Sequence, residues 1–115
     1  MTAPASAALG RAKARLDGLD LYPRPVVLRR VRILHVAWLF RLPWFRRFHG
    51  YTMWPLILVR RPLNETSDDL VCHELCHVCQ MQHHPVRMPL SYLRTGYDAN
   101  PYEREARAAV MSTRG

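Results

Sequence analysis

His73, Glu74 and His77 fall in the run His73-Glu74-Leu75-Cys76-His77, and their spacing acquires a chemical meaning if that segment is helical. Residues four apart on an α-helix lie about 40° apart around the axis and one turn along it, so the two imidazoles can converge on one ion. Glu74 is turned by about 100° from His73, which keeps it from coordinating but sets it beside a water on the same ion. This is the geometry that metal-assisted hydrolysis needs. Zinc brings the pKa of its water down to about 7 and polarises a carbonyl, while the carboxylate takes the proton and passes it to the leaving group. The plain alternative is a chance match of two surface histidines.

Catalytic zinc takes a third protein ligand and keeps a fourth position open. The segment Asn100-Pro101-Tyr102-Glu103-Arg104-Glu105-Ala106 offers Glu103 and Glu105. If Tyr102, Ala106, Ala109 and Val110 form the buried stripe of a helix, Glu103 lies about 60° from Ala106 and Glu105 about 100° away on the other side. Glu103 is thus the preferred ligand with His73 and His77, although Asn100 and Glu103 also fit the N-cap and N3 positions of a capping box. A tetrahedral oxyanion needs a donor besides the metal. Tyr97 and Tyr92 precede this helix, and Tyr97 joins Glu74 as a candidate catalytic residue; either also suits a core position with a satisfied hydroxyl.

Other side chains invite overreading. Cys72, Cys76 and Cys79 share the first helix with Leu75 on an arc of about 100° centred away from the histidine pair, which reads as buried apolar packing rather than redox chemistry. A structural zinc site with Cys72 or Cys76 as fourth ligand is a competing reading that the helical phase opposes. His84, seven residues beyond His77, is displaced about 10 Å along the axis and cannot share its ion. His83 and His84 are read as helix-end residues or as groups near a cleft.

These side chains need elements to position them. The run Asn64 to Asp69 supplies Thr66 as N-cap with Asp69 three residues on, predicting a helix from about 67 to 83 that stops before Pro85. A loop through Gly96 then leads to the last helix at Asn100-Pro101, where asparagine caps and proline fits the first turn. Upstream, residues 5–17 predict a short helix interrupted by Gly10, and Tyr22-Pro23-Arg24-Pro25 forces an extended turn. A strand is expected over 26–36, and a hairpin punctuated by Gly50 and Pro55 has 56–60 as its second strand. Residues 37–49, with Trp38, Trp44 and three arginines, read as a loop folding aromatics over a small core or as a lip facing lipid or a partner.

The chain has 115 residues, enough for one compact core. Residues 1–24 read as an N-terminal helix and extended segment, and 25–115 as one domain. The formal charge is +8, and Lys13 is the only lysine. Such an arginine excess is either a solvated surface or a site for an anionic partner, nucleic acid or a membrane surface. The opening residues lack the pattern of a secretory signal, and the longest apolar stretch, 31–45, is interrupted by Arg32, His35 and Arg41, so no transmembrane segment is expected. Three cysteines on one helix point to a reducing compartment, and the localisation expected is cytoplasmic.

The His-Glu-Leu-Cys-His run followed by Val78 and Gln80, together with Asn-Pro-Tyr-Glu-Arg-Glu-Ala at 100–106, resembles the gluzincin metallopeptidases. It is similar in particular to minimal zincin-like domains, including SprT-like, ImmA/IrrE-type and HtpX-type proteins, over roughly residues 50–109. The resemblance implies an α+β fold in which a short antiparallel or mixed sheet packs on the metal-binding helix and a C-terminal glutamate-bearing helix. It further implies an edge strand above the metal helix that pairs with extended substrate. The expected function is a zinc-dependent peptidase acting on a peptide or protein substrate, with Glu74 as general base and His73, His77 and Glu103 on Zn2+. The alternative is a basic nucleic-acid or anionic-surface module using Trp38, Trp44 and Trp54, with a structural or vestigial zinc site. One departure stands out: several of those families carry Asp or Asn where this chain has Arg107, so the partner orienting a zinc-bound histidine must come from elsewhere, Asp98 or Asn100 being candidates.

Overall fold

The computed structural model describes residues 2–19 and 21–114. The fold is α+β: four helices and a three-stranded mixed sheet. The first helix, α1 (Ala3–Asp17), runs unbroken through Gly10 because a solvent-facing position there tolerates the missing side chain. Ala5, Ala8, Leu9, Ala12 and Leu16 make its buried stripe at helical spacing. Four of these, Ala8, Leu9, Ala12 and Leu16, join Val71, Cys72, Leu75 and Cys76 in one apolar core. The helix therefore packs with the rest, and a boundary at residue 24 does not divide two packing units.

The strand expected over 26–36 is shorter. Strand β1 (Arg32–His35) pairs in parallel with β3 (Leu56–Val59), and the four residues of β3 give partners to only four of β1. Val27 is held differently: its amide donates to Gln82 Oε1 at 2.9 Å and its carbonyl accepts from Gln82 Nε2 at 2.8 Å, so a side-chain amide takes the place of a neighbouring strand. Strand β2 (Gly50–Met53) turns at Trp54-Pro55 into β3 and pairs with it antiparallel, as the hairpin signals predict. The order β1-β3-β2 leaves β2 at an edge. The Arg60 amide donates to the His49 carbonyl in this register. Antiparallel pairs alternate between bonded and non-bonded positions. Tyr51 and Met53 therefore share the bonded phase of His49, and the amides and carbonyls of Gly50 and Thr52 point outward from the sheet.

The aromatic segment divides its side chains between core and solvent. Phe40, in a short 3-10 turn, is fully buried, and Phe45 and Phe48 pack edge-on or tilted against Tyr51. Trp38 and Trp44 remain 64% and 78% exposed.

Helix α2 (Asp68–His83) begins one residue later than the Thr66 cap predicts. Ser67 is the N-cap and accepts from the Leu70 amide, whereas the Thr66 hydroxyl donates to the carbonyls of Arg61 and Pro62. The segment expected as a loop before Gly96 contains a further helix, α3 (Arg87–Thr95), with Pro89 in its first turn, where an amide has no partner to lose. Gly96, at φ 70°, ends it in a conformation that favours glycine. The last helix, α4 (Pro101–Thr113), starts at Asn100, whose side chain accepts from the amides of Tyr102 and Glu103. No helix among the described residues is long and apolar enough to cross a membrane.

Candidate metal centre

Ala106 and Ala109 of α4 are buried in the core that Val71, Cys72, Leu75 and Cys76 of α2 share, and Glu103 on the same helix reaches the α2 histidines. Glu103 is fully buried, Oε1 lying 2.6 Å from His73 Nε2 and Oε2 3.0 Å from His77 Nε2. The two Nε2 atoms are 3.2 Å apart. A tetrahedral ion with bonds of about 2.0–2.1 Å separates its ligand atoms by about 3.3 Å. Two of the three contacts lie near this spacing and the third is shorter, and His73, His77 and Glu103 form a group among the described residues that could hold a metal ion.

Proton bookkeeping supports the same fit. Gln80, fully buried, donates its amide to the Tyr102 carbonyl at 2.8 Å and to Glu105 Oε1 at 3.1 Å, which fixes its oxygen towards His77. That oxygen lies 2.7 Å from His77 Nδ1, which must therefore donate. In neutral His77 the proton sits on Nδ1, and the Nε2 lone pair points at a carboxylate and a second imidazole. Such a meeting of acceptors calls for a cation between them, either a metal or a proton. Burial acts to lower the His77 pKa, but Glu103, Glu74 and Gln80 outweigh it and raise it above the ordinary histidine value. Burial likewise pushes the Glu103 carboxyl up, and the two histidines outweigh it to hold it well below the carboxylate range.

Glu74 is 4% exposed and does not join the group of His73, His77 and Glu103. Burial is the main cause of its raised pKa, Glu103 adds to the rise, and His77, His73 and the Thr52 hydroxyl oppose it. A carboxylate moved towards neutrality is suited to taking and returning a proton. Thr52 Oγ1 lies 2.9 Å from the Glu74 carbonyl and 3.3 Å from Oε1, pinning β2 to α2. Gly50 makes the approach feasible, since a Cβ there would stand 3.2 Å from Glu74 Cγ and 3.3 Å from Leu70 Cδ1.

Tyr97 and Tyr92 both reach the centre. Their hydroxyls donate to Glu103, from Tyr97 to Oε1 at 2.9 Å and from Tyr92 to Oε2 at 3.1 Å. Burial and the adjacent carboxylate raise both phenol pKa values, so both stay protonated donors. Tyr97, expected as an oxyanion donor, is thus engaged with Glu103.

The remaining sequence candidates lie elsewhere. Glu105, the alternative ligand, accepts from Tyr22 and Gln80 in an outer layer. Asp98 pairs with Arg47 at the surface and Asn100 caps α4, so neither orients a histidine; Gln80 does so for His77. Gln80 sits three residues after His77 on the same face, a helical spacing that could have identified it. Cys72, Cys76 and Cys79 are free and buried, with Cys72 and Cys76 in the apolar core rather than the metal-binding group. His83 stacks on Tyr22 at 4.7 Å between centroids, and His84 meets the Tyr22 and Tyr102 rings. No protein-family model, curated protein or solved structure gives a significant match to this chain.

Proposed function

We propose that this chain is a zinc-dependent peptidase of gluzincin type, with His73, His77 and Glu103 as ligands and Glu74 as general base. The observation that carries the reading is the meeting of three ligand atoms within 4.8 Å of one another beside a buried carboxylate. Zinc suits two imidazoles and a carboxylate, and when bound it supplies Lewis acidity and an acidified water. Glu74 would accept the water's proton and return it to the departing amine. Tyr92, Tyr97 and Gln80 hold the ligands, which limits reorganisation during the reaction. The outward amides and carbonyls of Gly50 and Thr52 offer an extended peptide a strand to pair with. Three free cysteines suit the cytoplasmic localisation expected from the sequence.

The decisive experiment pairs zinc stoichiometry with hydrolysis of a mixed peptide library. Wild type should hold one zinc per chain and cleave peptides, and Glu74→Gln should keep the zinc and lose cleavage by about 100-fold or more. Protein fully loaded with zinc that cleaves nothing would remove the enzyme reading and leave a structural site.

A second reading draws on exposed Trp38 and Trp44, with Arg41 and Arg46 also exposed in that segment. A nucleic-acid or anionic-surface module would bind with affinity that falls steeply with salt and survives zinc removal. Absence of binding to oligonucleotides and anionic vesicles at low salt would dispose of it.

A further inference from the structure

We propose that the cleft selects an extended peptide with a carboxylate at one end of the bound stretch and a bulky apolar side chain at the other, Arg61 and Arg107 recognising the carboxylate. The inference names the substrate class for the peptidase reading and rests on it for the reaction, while the binding it describes can be measured without turnover.

Two depressions meet at the candidate metal centre, with Gly50, Glu74, Tyr97 and Glu103 lining both. The first, of about 800 Å³, is bordered by Arg47, Arg60, Arg61, Arg107 and Arg114. Asp98 answers Arg47 and Asp69 answers Arg114. Arg60 donates to the carbonyls of Arg46 and Phe48. Among the described residues Arg61 and Arg107 are exposed and make no ion pair. The five arginines of this depression are matched in number by Glu65, Asp69, Glu74, Asp98 and Glu103, but Glu74 and Glu103 are buried at the centre, so along the rim five arginines face three acids. Arg107 stands one turn after Glu103 on the same face of α4 and lies 5.9 Å from the Tyr97 ring centroid. The arginine that breaks the sequence pattern of related sites thus borders the same cleft as the third ligand.

The second depression, of about 590 Å³, is lined by Trp44, Phe45, Met53, Trp54, Met81 and Met88, and its only acids are Glu74 and Glu103. Strand β2 joins the two: His49 and Gly50 border the first, and Gly50 through Trp54 border the second. An extended segment advances about 3.3 Å per residue. Because His49 to Trp54 border one depression or the other, an extended segment paired with the outer edge of β2 runs along both and passes Glu74, which β2 contacts through Thr52. Guanidinium groups free of protein partners favour a carboxylate, and Trp and Met walls favour apolar side chains. Single-stranded nucleic acid is the weaker fit, because its binding sites interleave stacking rings with cations. Here Trp44 and Trp54 border the second depression and not the first, while Arg61 and Arg107 border the first, where Tyr97 is the ring that Arg107 approaches.

The test uses the full chain carrying Glu74→Gln, loaded with zinc, and fluorescent octapeptides read by anisotropy. A peptide with two aspartates at one end and two phenylalanines at the other should bind at least ~10-fold tighter than its aspartate-to-lysine counterpart. Replacing the phenylalanines by serine should weaken it comparably. In the Arg61→Glu, Arg107→Glu double variant the charge preference should reverse with zinc stoichiometry unchanged, which separates recognition from misfolding. Peptides with neutral side chains, ending in a free carboxylate or an amide, assign the carboxylate to a side chain or to a chain terminus. Equal affinity for the acidic and basic peptides, no binding, an unreversed preference in the double variant, or tighter binding of a single-stranded oligonucleotide at this cleft overturns the proposal. Intact selectivity in a protein whose wild type cleaves nothing retains this inference and removes the peptidase reading.

Discussion

Along α2, Cys72, Leu75 and Cys76 are buried in apolar contact with the α1 side chains, while Glu74, His77 and Gln80 are buried on the side of the helix that meets β2 and α4. The apolar face gains from removal of surface from water, which requires only shape and volume. The polar face loses hydration and recovers it only if every donor meets an acceptor and the converging acceptors share a cation. One helix thus separates a face whose residues are exchangeable within limits from a face whose residues depend on one another. Substitutions on the two faces should therefore behave differently.

The sharpest contrast comes from Glu103→Ala. Removing this carboxylate takes away a ligand and leaves two imidazoles without their acceptor, so zinc should fall from one per chain to near none at micromolar metal. The loss in affinity should exceed the ~10–100-fold attached to outer partners. Equilibrium dialysis with metal analysis measures it, and retention of full affinity would mean that Glu103 is no ligand. Because a ligand bound only by the folded state stabilises by about 4 kcal/mol at a thousand times its dissociation constant, wild type should also gain melting temperature with zinc while the variant does not.

Leu75→Ala tests the other face. It should cost about 2–5 kcal/mol in urea unfolding through lost transfer and a residual cavity. Zinc stoichiometry of the folded fraction should stay at one per chain. Coupled loss of zinc affinity in folded protein would break the separation of faces proposed here.

Between these lies Gln80→Leu, which keeps the volume but removes the acceptor fixing the His77 Nδ1 proton. Zinc affinity should fall by about 10–100-fold, the range for partners of metal-bound histidine. A Gln80→Glu exchange, which restores an acceptor, should recover part of that loss. If both variants bind zinc like wild type, the hydrogen bond at 2.7 Å does not orient the ligand.

The same contrast explains what could be read before the fold was known. The meeting of His73, His77 and Glu103 is legible in the sequence because helical spacing alone fixes relative angles, and the apolar phase of α4 distinguishes Glu103 from Glu105. Gln80 was harder, since its role depends on which way its amide faces, which Tyr102 and Glu105 on a distant helix decide. Tyr97 was found as a functional candidate, but whether its hydroxyl meets Glu103 or a substrate oxygen is a matter of tertiary distance. Helix α3 is not expected from the sequence, because Pro85 reads as the end of the preceding helix and the stretch to Gly96 as a loop, although Pro89 falls in a first turn, where proline is compatible with a helix. The shortened β1 was invisible for a related reason: Val26 and Val27 have strand propensity, yet pairing requires a partner, and Gln82 occupies that place.

The smallest effect concerns a seam remote from the site. Asp69 on α2 lies 3.0 Å from an Arg15 nitrogen of α1 and 2.8 Å from an Arg114 nitrogen just beyond α4. The hydrogen bond from Arg15 is the first cause of its lowered pKa; burial opposes it and Arg114 adds to it. A carboxyl whose folded pKa lies below its unfolded value stabilises fully above the unfolded value, near 3.9, and loses that contribution as pH falls through the folded one. Because the side chain is about a third exposed, at 35%, solvent and salt screen the pair to a contribution of at most about 1 kcal/mol. Asp69→Asn should therefore be slightly less stable than wild type at pH 6, and the difference should shrink as pH falls below the unfolded value and through the lower folded one. Both proteins carry the same metal centre, so its own acid sensitivity cancels in the comparison. A difference that persisted unchanged into acid would assign the effect to packing or helix capping rather than to the charge of Asp69.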